Sequence, residues 1–486
     1  MNKKILVLPG DGIGQEVCAA AMPVFDQLNL PLTFEYGEIG WECWRRGGDP
    51  VPEATWRQIE ASDAVLLGAI TSKGKNQAEA ELAPELQGKG RIYVSPVIQL
   101  RKRLDAYVNV RPTERMVGGG RPFRMVVLRE NTEGLYVGLD RRGIPENLRA
   151  MLNNPNLEKS GPDQATFSVR LLTQFGMSRL FAYAFAYARA QGLDRVTLAD
   201  KPNVLRESGQ FSADLFHAAA AGYPEITANI ENVDAVALRM VTRPETYGVI
   251  VAENMFGDIL SDLAAGVMGG LGIAPSANIG NGIPYYEPVH GSHLRVAGMG
   301  VANPSAMFLT IALMLENLGF ASAAGAVRDA VRTTIVRGQT VTYDLGGDAS
   351  TQAMADAILA EIKTPEPFRR ASVLSVGDDL LDGRSGDAVT PAIGRTLTEK
   401  GYAVGLHLTC GAQKAAIGNA LVTCLGQSDL IALHGDNNKA LLRAAVASAL
   451  GVSADFPGSH LSWRGKTICL LPRMAEAAVT ALEEIL

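Results

Sequence analysis

Val251-Ala-Glu-Asn-Met-Phe-Gly-Asp-Ile-Leu-Ser-Asp262 continues the apolar run Val249-Ile-Val-Ala252. The run reads as a buried strand and the rest as a helix start, with Gly257 at the join. Helix residues four apart share a face, so Asp258 and Asp262 would point the same way. Two like charges side by side repel unless a cation lies between them. Oxygen-only ligands suit a hard ion such as Mg2+ or Mn2+. A bare DxxxD pair is more commonly a solvated helix face, so its meaning depends on what the rest of the chain brings to it.

The chain has 486 residues, enough for two or three domains. Its 47% hydrophobic and 20% charged content fits a globular protein with ample core. Net charge is -6 with no long basic run, which argues against nucleic acid as the main partner. Cys18, Cys43, Cys410, Cys424 and Cys469 are scattered and contain no CxxC pair. That argues against a disulfide framework or zinc site and for a reducing, cytoplasmic setting. Met1-Asn-Lys-Lys-Ile-Leu-Val-Leu8 is charged, then apolar, but Pro9-Gly10 ends it too soon for a signal sequence, so it reads as a first strand. No apolar stretch approaches a membrane span, since glycines interrupt Leu263 to Ala274.

Strand and helix patterns then alternate, which predicts an α/β fold. Pro9-Gly-Asp-Gly-Ile-Gly-Gln-Glu16 is a glycine-rich turn into a helix but lacks the GxGxxG spacing of a Rossmann loop. Ala64 to Ile70 is a buried strand followed by the polar loop Thr71 to Asn76, where ligands gather in open α/β folds. Arg101, Arg111 and Arg129 fall at or near the ends of separate short apolar runs. Each alone would pass for a surface arginine. Together they point to a polycarboxylate, because the planar guanidinium grips carboxylates bidentately. Arg141 to Gly161 reads as loop, Ser178 to Gln191 as a helix with core aromatics, and Asn303 to Gly319 as a long apolar helix. Lys201 follows the strand Val196–Ala199 and is a candidate proton carrier if it lies beside a metal. Asp234 sits in an apolar context that calls for pairing or a metal.

The motifs LPGDGIG, LRKRLDAYVNVRP, RENTEGLY, DKPNVL, NMFGDILSDLAAG, GIAPSANIG, EPVHGS, VANP and TYDLGGDAST occur in that order. Over residues 1–363 the chain therefore resembles the isocitrate/isopropylmalate dehydrogenases. The resemblance implies a two-part, non-Rossmann α/β fold that works as a homodimer or higher homo-oligomer with shared active sites. It implies a large subdomain of residues 1–106 and 270–363 and a small one of 107–269. Arg101, Arg111 and Arg129 would hold substrate carboxylates, with Ser95 and Val97 shaping the rest of the pocket. Asp258 and Asp262 would bind Mg2+ or Mn2+ with Asp234 of a second copy. Tyr136, and Lys201 from that second copy, would move protons. Asn203, Glu287, His290, Gly291, Arg295, Asn303, Tyr343 and Asp344 would contact the coenzyme.

Family isocitrate enzymes often carry Ser-x-Asn just before the helix arginine. Here Ser95 is present, Val97 replaces the Asn, and Val97 and Ile98 are apolar as in isopropylmalate enzymes. DKPNVL also looks like the isopropylmalate and homoisocitrate branches. Ser95 and the appended C-terminal region favour oxidative decarboxylation of isocitrate to 2-oxoglutarate, a tricarboxylic acid cycle reaction, over 3-isopropylmalate or homoisocitrate. NAD-type members carry Asp five residues after the motif histidine. Here Arg295 stands there, and with Tyr343 it favours NADP over NAD, although Val296 and Gly347 occupy positions where some NADP enzymes have Tyr and Arg.

Thr364-Pro-Glu-Pro367 marks a linker over residues 364–370. From residue 371 to 486 a second small α/β domain is expected. Its Gly377-Asp-Asp-Leu-Leu-Asp-Gly383 with Asp387 resembles the GDELLxG...D pattern of the molybdopterin-binding, competence-damage-like domain. Leu433-His-Gly-Asp-Asn-Asn438 replaces that family's glycine-rich turn, so a regulatory or oligomerising module is expected. Asp378 and Asp379 read as turn and helix-cap residues. A non-catalytic protein that captures a ligand with this domain is the alternative from another function class.

Overall fold

The apolar runs read from the sequence become neighbouring strands of one sheet. The computed structural model describes residues 2–118, 121–362, 369–435, 439–455, 459–463 and 466–486. They fall into two units, Met1–Thr364 and Pro365–Leu486. Residues 364–368 of the expected linker lie outside the described residues, and Arg369 and Arg370 already belong to a strand. Among the described residues, no helix is long and apolar enough to cross a membrane.

In the first unit the strands are β1 (Lys3–Gly10), β2 (Leu32–Tyr36), β3 (Ala64–Ala69), β4 (Val108–Glu114), β5 (Arg124–Glu130), β6 (Asp140–Arg142), β7 (Thr166–Ser168), β8 (Arg195–Asp200), β9 (Thr227–Asn232), β10 (Val249–Ala252), β11 (Pro275–Ile279) and β12 (Tyr285–Pro288). β6 and β7 pair as a separate ribbon. The others form one sheet in the order β2-β1-β3-β12-β11-β4-β5-β10-β8-β9. The first four in that order are parallel to one another, as are the last four. The pairs β12–β11, β11–β4 and β4–β5 are antiparallel. Chain direction thus reverses in the middle of the sheet, which distinguishes it from a doubly wound parallel fold. The five strands on one side come from residues before 106 or after 270, and the five on the other from between them.

Alternation along the strands sorts side chains onto two faces. Ile5 and Val7, Val108 and Val110, Val126 and Leu128, and Val249 and Val251 all enter one large core that spans the sheet. The buried helix Ser305–Asn317 lies in that core. The opposite face carries two separate clusters. Leu6, Leu8, Val65 and Leu67 build one in the first half, and Met125, Val127, Ile250 and Ala252 build the other in the second. Between them the sheet centre presents polar side chains.

The helix after β10 runs from Asn254 to Met268. Glu253 is its N-cap and accepts from the amides of Phe256 and Met255. Gly257 is therefore not at the join but inside the first turn. A Cβ there would lie 2.7 Å from Arg129 Cβ, so glycine is what lets this helix cross β5 closely. Asp258 and Asp262 lie along this helix one turn apart. The segment read as loop between Arg141 and Gly161 instead holds short helices at Glu146–Leu152 and Pro155–Ser160. They are mostly exposed, so no apolar stripe betrays them. The helix expected from Ser178 begins at Gln174, where the Thr173 hydroxyl caps it by accepting from Gly176 N–H.

The second unit has β13 (Arg369–Val376), β14 (Tyr402–Cys410), β15 (Leu430–His434), β16 (His460–Trp463) and β17 (Lys466–Leu471), in the order β14-β13-β15-β17-β16. All pairs are parallel except β16–β17. Ala371 and Val373 face one core, and Leu374 and Val376 the other. This two-sided burial explains the unbroken apolar runs. At the C-terminal ends of β13 and β15, Ser375 Oγ lies 2.7 Å from Thr390 Oγ1 and 2.9 Å from His434 Nε2. Asp387 accepts from both hydroxyls and from the amides of Val389 and Thr390. Asp378 and Asp379 are not caps. Asp378 accepts from Ala412 N–H, and Asp379 pairs with Arg473. Asp436 to Asn438 of the expected ligand turn lie outside the described residues.

Two predictions follow from this packing. Gly257→Ala should cost about 1–3 kcal/mol, because Arg129 or the helix must shift, and a thermal melt of the full chain measures it. Burial lowers the pKa of His434 below its ordinary 6.5, while Asp387 opposes the shift. The unfolded chain then binds more protons than the fold below that value, so acidification destabilises the second unit. Its melting temperature should fall between pH ~7 and ~5, and His434→Gln should flatten that slope.

Candidate active site

The polar centre of the sheet is built by strand parity. Asn109 and Arg111 on β4, Arg129 on β5, Asn278 on β11 and Glu287 on β12 all sit off the large core. An amide ladder ties them together. Asn109 and Asn131 each donate through Nδ2 to Asn278 Oδ1 at 2.9 Å, and Asn278 donates to Glu287 Oε1 at 3.0 Å. Asn109 Oδ1 accepts from Arg111 Nε at 2.6 Å. Most of these buried polar groups are tolerable because they pair with one another, while Asn131 Oδ1 and Arg101 Nε are left without a protein partner.

The three arginines expected to bind carboxylates are brought together at this centre. Arg111 Nη1 donates to Asp262 Oδ1 and to Ser261 Oγ, both at 2.8 Å. Its Nη2 lies 3.6 Å from Asp258 Oδ1. Arg129 is 2% exposed, pairs with Asp258, and donates twice to Asn254 Oδ1. Burial, with Arg101 and Arg111 nearby, brings its pKa down to about 9. Burial likewise lowers Arg111. Arg101, on the helix Pro96–Arg103, is also buried; burial opposes its charge, but Tyr285 and Glu287 hold it above the ordinary value. The Tyr136 hydroxyl donates to Asp258 Oδ2 at 2.7 Å, and its ring lies 5.1 Å from the Arg129 guanidinium. Partial burial and Asp258 raise the Tyr136 pKa, which keeps the phenol protonated.

Lys201 and Asp234 form a second cluster. They are ion-paired with each other at the ends of β8 and β9. Asp234 is exposed on the helix Val233–Thr242, as are Leu238 and Val241, so its apolar sequence context is not a buried one. Among the described residues, no group of three or more His, Cys, Asp or Glu converges as a metal site. Asp234 thus does not join Asp258 and Asp262 within one chain. Those two, one helical turn apart, are all-oxygen donors of the kind a hard divalent cation takes.

The expected coenzyme residues divide. His290, Gly291, Asn303, Tyr343 and Asp344 line one hollow of about 450 Å³ with Ile13 and Gly269 to Gly272. Asn303 Nδ2 donates to Asp344 Oδ2 at 3.0 Å. Burial lowers His290, so its ring is neutral, and its Nε2 is buried with no protein partner. That orphaned atom, in a hollow that also carries Asn303 and Asp344 among apolar residues and glycines, fits a nucleotide. Arg295 lines a neighbouring hollow with Ser72 and Lys73, and the two hollows share Gly291 and His293. Glu287 belongs instead to the arginine centre, and Asn203 is exposed near Lys201. The Asp11 of GDGIG is a staple that accepts from Trp41 and Thr71 amides. Ser95 Oγ accepts from Ser72 Oγ at 3.2 Å. Val97 packs against the Leu6–Leu8 core rather than standing free, while Ile98 is partly exposed.

Asn109, Asn131, Asn254, Asn278, Ser261 and Ser72 were not legible as site residues. The available signal was parity: Asn109 shares a strand face with Arg111 inside an apolar run, where an amide needs a partner.

A family model described as isocitrate/isopropylmalate dehydrogenase matches residues 4–358. Protein DlpA of Legionella pneumophila is 51% identical over 73% of this chain, a match that spans only 58% of DlpA. The isocitrate/homoisocitrate dehydrogenase of Thermus thermophilus is 40% identical over 75% of this chain and 100% of its own length. The 3-isopropylmalate dehydrogenase of Archaeoglobus fulgidus is 37% identical over 73% and 98%. The crystal structure of isocitrate dehydrogenase from Methylococcus capsulatus superposes with a TM-score of 0.65 at 35% identity, covering 74% of this chain and 99% of that one. A match that runs from β1 through the last long helix of the first unit, with the same stretch aligned to several dehydrogenases, shows that this chain belongs to the isocitrate/isopropylmalate dehydrogenase family.

Proposed function

We propose that the chain catalyses the metal-dependent oxidative decarboxylation of a 2-hydroxy polycarboxylic acid, with isocitrate as substrate and NADP as coenzyme. The observation that carries the reading is the convergence of three buried guanidinium groups on one centre beside Tyr136, Asp258 and Asp262. Arg101, Arg111 and Arg129 bind the substrate carboxylates and fix C2 and the leaving carboxylate in register. When bound by Asp258 and Asp262, with Asp234 of a second copy, Mg2+ or Mn2+ supplies the charge that acidifies the hydroxyl and polarises the ketone. NADP held at His290, Asn303, Tyr343 and Asp344 would supply the hydride acceptor, and Arg295 gives the adjoining hollow a cation that suits a 2'-phosphate. Lys201 takes the hydroxyl proton, with Asp234 beside it. Tyr136, held as a phenol, returns a proton to the enolate left after CO2 departs.

The two hydroxyls of Ser72 and Ser95 favour isocitrate, since they offer hydrogen bonds to a third carboxylate. Partly exposed Ile98 beside them favours the second reading, 3-isopropylmalate. Separation of Lys201–Asp234 from Asp258–Asp262 within the chain supports a site completed by a second copy.

Reduction of NADP and NAD with isocitrate, homoisocitrate and 3-isopropylmalate in the presence of Mn2+ tests substrate and coenzyme together. Isocitrate with NADP should give the highest kcat/KM, and Asp258→Asn should lower kcat by about 100-fold or more. Turnover of another acid in place of isocitrate would replace the substrate. Equal inactivity of wild type and variant on all three would favour the ligand-capture alternative. Mixing inactive Lys201→Met with inactive Asp258→Asn under subunit exchange should restore about a quarter of wild-type activity, because half the dimers would be mixed and each would hold one intact site.

A further inference from the structure

Asp200 ends β8 and Glu253 follows β10, and the two strands are parallel neighbours with Ala199 paired to Ala252. The two carboxylates therefore sit side by side, and each is 3% exposed. Like charges buried at strand spacing repel strongly unless a cation lies between them. Arg170 is that cation. Its Nη2 lies 3.3 Å from Asp200 Oδ1 and its Nε 3.7 Å from Glu253 Oε1. Its Nη1 donates to Ser208 Oγ at 3.1 Å, and its guanidinium lies over the Phe256 ring. Among the described residues, no other cationic side chain pairs with either carboxylate.

The two clamped ends lead to different chemistry. Asp200 is followed by Lys201, which pairs with Asp234. Glu253 caps the helix that carries Asp258 and Asp262. We propose that Arg170 is a positioning residue that fixes the distance between the Lys201 strand end and the Asp258–Asp262 helix. This rests on the oxidative decarboxylase reading. In that reading Lys201 serves one site and Asp258 another, so Arg170 links the two contributions that a single chain makes to two sites. It touches neither substrate nor metal. It acts by keeping two buried carboxylates, and with them two site elements, at one spacing.

Arg170→Met, Arg170→Lys and Arg170→Met combined with Asp200→Asn test this in the full chain. Two readouts are needed: steady-state kinetics per folded site, and the rate at which acetic anhydride acylates Lys201 at fixed pH, followed by mass spectrometry. In Arg170→Met, kcat should fall about tenfold or more while KM for the acid changes less than about threefold, since Arg101, Arg111 and Arg129 are untouched. Lys201 should acylate about three times faster or more as it loses its station beside Asp234. The double variant, which removes the unpaired charge, should recover most of both. Wild-type kcat and acylation rate in Arg170→Met would overturn the proposal, as would a kcat loss that Asp200→Asn leaves untouched. If Arg170→Met does not fold, Arg170→Gln, which also removes the charge, decides on acylation alone, with a faster rate supporting the proposal and an unchanged one overturning it, while Arg170→Lys, which keeps a cation, should stay near the wild-type rate. Wild-type inactivity on all three acids would sink the decarboxylase reading, and Lys201 acylation would still decide for or against the clamp.

Discussion

Burying cationic side chains in the middle of a sheet is the constraint from which much of the first unit follows. Arg111 and Arg129 lie almost fully inside the protein and repel each other and Arg101. Such groups are tolerated only where carboxylates and oriented amides surround them. The antiparallel centre of the sheet, β12-β11-β4-β5, supplies that environment. It sets Asn109 across from Arg129 on one side and from Asn278 on the other. It also sets Ser276 opposite Glu287. The helix Asn254–Met268 then lays Asn254, Asp258, Ser261 and Asp262 against the guanidinium groups. The close approach this requires is possible because residue 257 has no side chain.

In the proposed reading, the same centre must hold the substrate's carboxylates beside the chain's own Asp258 and Asp262. Asp258 and Asp262 pair with the arginines from a partly exposed helix face, so these pairs are weaker than fully buried ones. In the proposed reaction, an incoming polycarboxylate would meet guanidinium groups whose geometry the amide ladder has already fixed. The amides of Asn109, Asn131 and Asn278 orient these groups in advance and carry the ladder on to Glu287.

Much of the first unit was legible because its strands are buried on both sides, and such strands read as unbroken apolar runs. Arg111 and Arg129 were legible because they interrupt or end those runs. The order of the strands was not, since register across β11 and β4 joins residues about 170 positions apart and leaves no local trace. Glu287 was carried over as a coenzyme contact with the EPVHGS motif, and strand parity places it beside Asn278 at the arginine centre. Glu146–Leu152 and Pro155–Ser160 escaped notice because a short exposed helix buries almost nothing. Lys201 and Asp234 were readable as residue types, whereas their separation from Asp258 is a fact of three dimensions. In the second unit Asp387 was noticed, but its partners Ser375, Thr390 and His434 come from three separate elements.

The two halves of the large sheet share one continuous apolar core on one face and none on the other. Bending the halves about the line between β11 and β4 therefore resembles opening a book whose spine is the shared core. Among the described residues no apolar cluster spans the polar side, so opening it breaks none. What ties the halves together on that side is polar: Asn109 and Asn131 of one half both donate to Asn278 of the other. The polar side is thus held by a few directional hydrogen bonds, while the core behind it spans the whole sheet.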